Sequence, residues 1–201
     1  HIQPEKQKTK PMKSLKSYTH KPAAILSFIM FLLVACTSAG DHSQVRNSQT
    51  TPETDIHTAV LTGNLEAVQQ HIEAGTDINQ KDQMTGSTPL ITAATFGKTQ
   101  IAQALIDAGA DLSVTNNDGS TALHAAAFFC RVEIVQLLLD GNADKTIRNN
   151  FGATARESVV GPFDQIKPVY TMMQEQLSPF GMNLDMAEIE KTRPVIAMML
   201  Q

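Results

Sequence analysis

Tryptophan is absent from the 201 residues, and aromatic side chains make up only 5% of them. That is too few for the stacking platforms that hold single-stranded nucleic acids. Cysteine occurs twice, which excludes a disulfide scaffold and any zinc module built on several thiolates. There is no HExxH, no glycine-rich phosphate loop and no nucleophile–base pair with a local signature, and the six histidines (1, 20, 42, 57, 71, 124) are scattered. No catalytic, cofactor-binding or metal-ligating residue stands out. The expectation is a protein that is not an enzyme, takes no cofactor and has no small-molecule substrate. No apolar run reaches the roughly 20 residues that a membrane-spanning helix requires. What is present is an ordinary globular balance, 42% apolar and 18% charged, not a disordered one.

The formal charge of −4 is unevenly spread: residues 1–22 carry six lysines against Glu5, while the remainder is strongly acidic. An acidic body argues against nucleic acid as a partner. Behind the basic head, Ala23–Ala35 is an uncharged apolar run, of the length of a signal-peptide apolar region. The sequence opens with His1, and Met12 would make a better start, with Lys13, Lys16 and Lys21 ahead of the run. At its end, Leu33-Val34-Ala35-Cys36 resembles the lipobox of bacterial lipoproteins. The resemblance implies lipidation of Cys36, a signal peptide over 1–35 and, with Thr37 next, sorting to the outer membrane of a Gram-negative bacterium, facing the periplasm. Acyl chains contribute about 0.8 kcal/mol per buried CH₂, so several anchor far better than one. Residues 36–53 hold few large apolar side chains and are expected to form a flexible tether spanning roughly 20–25 Å.

The body repeats. Gly86-Ser87-Thr88-Pro89-Leu90-Ile91-Thr92-Ala93-Ala94 recurs, position for position, as Gly119-Ser120-Thr121-Ala122-Leu123-His124-Ala125-Ala126-Ala127. Leu105-Ile106-Asp107-Ala108-Gly109-Ala110-Asp111 recurs at the same offset as Leu138-Leu139-Asp140-Gly141-Asn142-Ala143-Asp144. An earlier copy, Ala67–Asp77, stands upstream by that offset and one position more, the extra residue falling in Asp82–Gly86, and a fading fourth begins at Phe151. This pattern resembles the ankyrin repeat over residues 54–160. The resemblance implies an all-α solenoid of about three to four helix-turn-helix repeats with short β-turn tips, and a His124 that bonds the neighbouring turn.

The residues support the same reading. Ile101, Leu105 and Ile106, like Ile134, Val135, Leu138 and Leu139, recur at helical spacing. Ala93-Ala94 and Ala126-Ala127 are small enough for close helix packing. Gly63 and Gly97 mark the reversal between helices, and Cys130 takes their place in the third copy, where a side chain is strained. It reads either as a buried small residue or as a thiol that senses oxidation. Gly75 and Gly109 end the second helices in a left-handed conformation, and Asn142 substitutes there as the next-best residue. The first copy shows no recognisable turn motif. Residues 161–201 read as a helical cap in which Ile166, Val169 or Tyr170, Met173 and Leu177 form a stripe. Ser178–Gly181 breaks it, Asp185 starts a second helix with Glu188 as capping partner, and Pro194 kinks or ends that helix. Six methionines lie here, either sealing the end of the solenoid or making an adaptable surface.

In ankyrin repeats, partners meet the turn tips and the variable positions of the first helix. Here the resemblance points to Thr95, Phe96, Phe128 and Phe129 on the helices and Met84, Asn117, Asn149 and Phe151 at the tips. The phenylalanines are expected to form an apolar patch that binds another protein. The chain also resembles periplasmic ankyrin proteins associated with catalase and peroxide tolerance. The alternative is an immunity or inhibitor protein that neutralises a toxin or enzyme in the periplasm. Membrane contact is expected through the lipid alone. Labelled palmitate is expected to enter the wild-type chain but not Cys36→Ser, measured by autoradiography; equal labelling overturns the lipidation.

Overall fold

The computed structural model describes residues 53–201. The expected leader over 1–35, Met12, Cys36 and all of the expected tether but Glu53 lie outside the described residues. Three helix pairs follow one another: α1 (Ile56–Thr62) with α2 (Leu65–Glu73), α3 (Pro89–Phe96) with α4 (Thr99–Asp107), and α5 (Ala122–Phe128) with α6 (Val132–Asp140). Each first helix starts where a short polar side chain takes up a free amide. Asp55 Oδ1 accepts from Thr58 N at 3.1 Å, and Thr88 Oγ1 from Ile91 N at 3.3 Å. Thr121 and His124 form a reciprocal capping box, which satisfies two amides at once. First helices pack in one row and second helices in another. Leu90, Ala93, Ala94, Ala102, Leu105, Leu123, Ala126, Ala127, Ile134 and Leu138 are buried in one continuous core. The all-α solenoid of stacked helix-turn-helix pairs expected from the repeat is the fold observed among the described residues.

The reversals lie where the repeat alignment put them. Cys130 has φ +54° between α5 and α6, and Asn142 has φ +62° after α6, a region that costs most L-residues roughly 1–2 kcal/mol and asparagine less. Successive tips are stitched to one another, repeat to repeat. Asn117 donates its amide to Thr85 O at 2.9 Å and its side chain to Met84 O at 3.2 Å. Asn150 does the same to Asp118 O and Asn117 O, both at 2.9 Å. This closeness leaves no room for a side chain at Gly119: a Cβ there would lie 2.6 Å from Asn150 Oδ1 and 2.9 Å from Asn150 N.

The fourth copy keeps its tip and one turn, which buries Ala155 and Val159. The chain then forms α7 (Phe163–Leu177), a 3₁₀ turn at Ser178–Phe180, and α8 (Met186–Met199). Asp185 caps α8 as expected, accepting from Ala187 N and Glu188 N, but Glu188 turns to Lys191 and Thr192 instead of completing a capping box. Pro194 does not end α8, which runs on to Met199. The carbonyl that Pro194 leaves unbonded belongs to exposed Glu190, where water can satisfy it. Burial of Ile196 and Leu200 in the solenoid core outweighs the helical cost of the ring. The end is thus closed mainly by these two residues. Of the six C-terminal methionines, only Met199 packs on that core, while Met172 and Met198 are exposed.

Gly119→Ala is expected to lower the unfolding free energy by about 2–3 kcal/mol, the sum of left-handed strain and a disturbed tip bond. Gly152→Ala has a similar φ of +76° but nothing within 4 Å of its Cβ, and should show the strain alone, about 1–2 kcal/mol. Urea titration of the two variants checks this; equal losses would mean that tip contact contributes nothing.

Candidate protein-binding site

The tips are organised from within. Asp82 Oδ1 accepts from Met84 N at 2.8 Å and Thr85 N at 2.7 Å, and Oδ2 from Ser87 N at 2.8 Å. Burial raises the Asp82 pKa, but bonds from Thr85, Met84 and Ser87 outweigh it and hold the carboxyl below its usual range. Asn116 and Asn149 repeat the motif. Asn149 Oδ1 accepts from Phe151 N and Ala153 N, both at 3.1 Å. The polar side chains of Asn117 and Asn149 are therefore committed to the scaffold. Met84 and Phe151 are not: they are 88% and 79% exposed at the first and last tips of the ladder, with Asp118 on the tip between them. A large apolar side chain held out by a rigid turn contributes nothing to the core.

The helix positions present a different arrangement. Phe129 is buried and Phe96 and Phe128 are half-buried in a second apolar cluster with Tyr170, Met182, Leu184 and Ile189. The patch expected to be open is covered by the chain's own C-terminal segment. The Tyr170 ring stacks on Phe128 with centroids 4.6 Å apart, and its hydroxyl donates to Phe128 O at 2.7 Å. Arg193 Nη1 donates in turn to Tyr170 Oη at 3.0 Å and lies 3.4 Å from Ser158 O. Burial pushes the Tyr170 phenol up to about 12. The Thr95 hydroxyl bonds Ile91 O, and its carbonyl accepts from Arg131 Nη2 at 3.3 Å.

His124 is buried with Nδ1 2.9 Å from Thr121 Oγ1 and Nε2 3.1 Å from Ala153 O of the next tip. Burial lowers its pKa despite opposing bonds from Ala153 and Ile147, so the neutral ring with Nε2–H donating fits the site. His57 occupies the same slot in the first repeat, yet both its ring nitrogens are buried without a partner. The slot was readable in Thr54-Asp55-Ile56-His57, the counterpart of Thr88-Pro89-Leu90-Ile91 in the next copy; the extra tip residue between them obscured it. Among the described residues no three His, Cys, Asp or Glu side chains gather to hold a metal.

Cys130 lies under this cluster, its Sγ 3.8 Å from Ile189 O. Burial pushes its thiol up to about 11, against the pull of Arg193 and Arg131. In a Cys36→Ser chain, Cys130 should react with a thiol reagent at pH 7 about 100-fold more slowly than in denaturant, as its thiolate fraction falls tenfold per pKa unit. Native and denatured rates that agree would restore a reactive thiol.

Residues 56–149 match the family model described as ankyrin repeats, in three copies. No curated protein matches the sequence. Among solved structures, the chain is similar to the ankyrin repeat domain of Bcl-3, described as a unique member of the IkappaB protein family. The two are 32% identical with a TM-score of 0.50, over 51% of this chain and 45% of that one. The match thus spans less than half of that solved chain's length. Ankyrin repeats make the matched segment a protein–protein interaction module.

Proposed function

We propose that this chain is a non-catalytic scaffold that binds one partner protein along its turn tips, with Met84 and Phe151 as apolar anchors and the first-helix face as a second contact. The exposure of those two side chains on turns whose polar groups are already satisfied carries the reading. Well-placed aromatic anchors dominate interface energetics, while their neighbours mainly exclude water. The tips are rigid before binding, so little ordering entropy opposes association. The lipobox-like sequence at Cys36 supports a membrane-tethered form facing the periplasm, with the repeats held near the membrane surface.

A photo-crosslinking residue placed at 84 or 151 in intact cells should give one discrete adduct on a gel, and the same residue at exposed position 136 on α6 should give none. Met84→Ser with Phe151→Ser should abolish the adduct from a probe at 118. Surface substitutions of this kind stay within about 0.5 kcal/mol, so the melting temperature should hold. Absence of adducts at every tip, or equal labelling at 136, rules out tip recognition.

A further inference from the structure

The two C-terminal helices are secured very differently. α8 buries Ile189, Thr192, Arg193 and Ile196, and Ile196 belongs to the solenoid core with Leu200. α7 spans 15 residues yet buries Tyr170 alone. Four of its other apolar residues, Phe163, Ile166, Met173 and Leu177, are half-buried against the aromatic cluster, and Met172 is exposed. Pro168 sits inside the helix and removes one of its backbone bonds. The Gln174 side chain ties α7 only to the segment that follows it, at Met182 O and Leu184 N. Tyr170 is the one α7 residue that is both fully buried and hydrogen-bonded to the repeats, through its stack on Phe128 and its bond to Phe128 O, while the other contacts of α7 are half-buried.

The anchoring residues of α7 fall at 163, 166, 170, 173 and 177, at alternating steps of three and four. That spacing is how an amphipathic helix lies in an apolar groove. The surface it covers is formed by Phe96, Phe128 and Phe129 at the ends of the first helices. We infer that α7 is a displaceable occupant of the first-helix face, and that this face accepts an amphipathic helix from the partner, with the same stripe and a central aromatic anchor in place of Tyr170. This inference rests on the binding role proposed above. It adds that the face is self-covered at rest. A competitor in cis lowers the apparent affinity for a helix in trans by the fraction of molecules that are open.

Hydrogen exchange on the wild-type chain should show the amides of α7 exchanging at least about tenfold faster than those of α8, because local opening is cheaper than loss of the core. Equal protection of the two helices overturns the inference, and this readout needs no variant to fold. A fluorescein-labelled peptide of residues 161–181 should bind the Tyr170→Ala chain at least about tenfold more tightly than the wild-type chain by anisotropy. Adding Phe128→Ser to Tyr170→Ala should abolish that binding. Equal affinity for wild type and Tyr170→Ala, or binding that survives Phe128→Ser, also overturns it. Tip adducts that persist without peptide binding would remove only the displaceable helix. Peptide binding without tip adducts would remove only tip recognition.

Discussion

A helix pair in this fold is apolar on two sides and cannot settle by burying one. α3 meets α1 on one flank and α5 on the other, and its buried Leu90, Ile91, Ala93 and Ala94 serve both contacts. Stability is therefore shared between neighbours, and the stack must be closed at its ends. The ends are closed by different means. The first pair leaves Glu66, Gln69, Gln70 and Glu73 exposed while Val60 and Val68 turn inward, a polar flank that needs no cover. The last pair instead receives the turn at Ala155–Val159 and then α8, whose Ile196 and Leu200 complete the core.

The same stacking decides which residues are free for recognition. A tip amide that bonds the tip of the preceding repeat is spent, as are the side-chain carbonyl oxygens of Asn116 and Asn149. The tip residues left over are those whose side chains point away from both neighbours, and Met84 and Phe151 are the large apolar ones among them. His124 shows the scaffold role of a polar side chain in the helices. It joins its own cap to the next tip through two ring nitrogens, which requires the neutral ring that burial favours.

Whatever recurs is legible in the sequence alone. The left-handed positions at Cys130 and Asn142 could be named because glycine marks them in the other copies, and the helix faces could be read because each copy repeats the apolar spacing. The candidate site was legible only in part. Tip residues were located by the repeat, but the use of Asn117 as scaffold depends on a distance between tips, and that of Asn149 on the turn its own side chain closes. The cover over Phe96, Phe128 and Phe129 depends on Tyr170, whose hydroxyl reaches a carbonyl 42 residues away. No second copy of that contact exists in the sequence to reveal it. The continuation of α8 past Pro194 was hidden for a similar reason: local propensity opposed it, and only burial against a distant helix decided it.

The C-terminal segment both closes the solenoid core, through α8, and covers Phe96, Phe128 and Phe129, through Tyr170 of α7 and the residues around it. Arg193 sits at the junction. It is buried, yet its Nη1 bonds only the neutral oxygens of Tyr170 and Ser158, and its guanidinium lies 5.9 Å from the Tyr170 ring centroid. A buried cation held by neutral groups is less stable than the same cation in water or paired with a carboxylate. Opening α7 gives Arg193 back to solvent, and the hydration regained offsets part of the lost aromatic contact. An apolar residue at that position would make the closed state tighter and opening dearer. The charge buried at the junction thus works against the closed position of α7, while Ile196 and Leu200 hold α8 in the solenoid core.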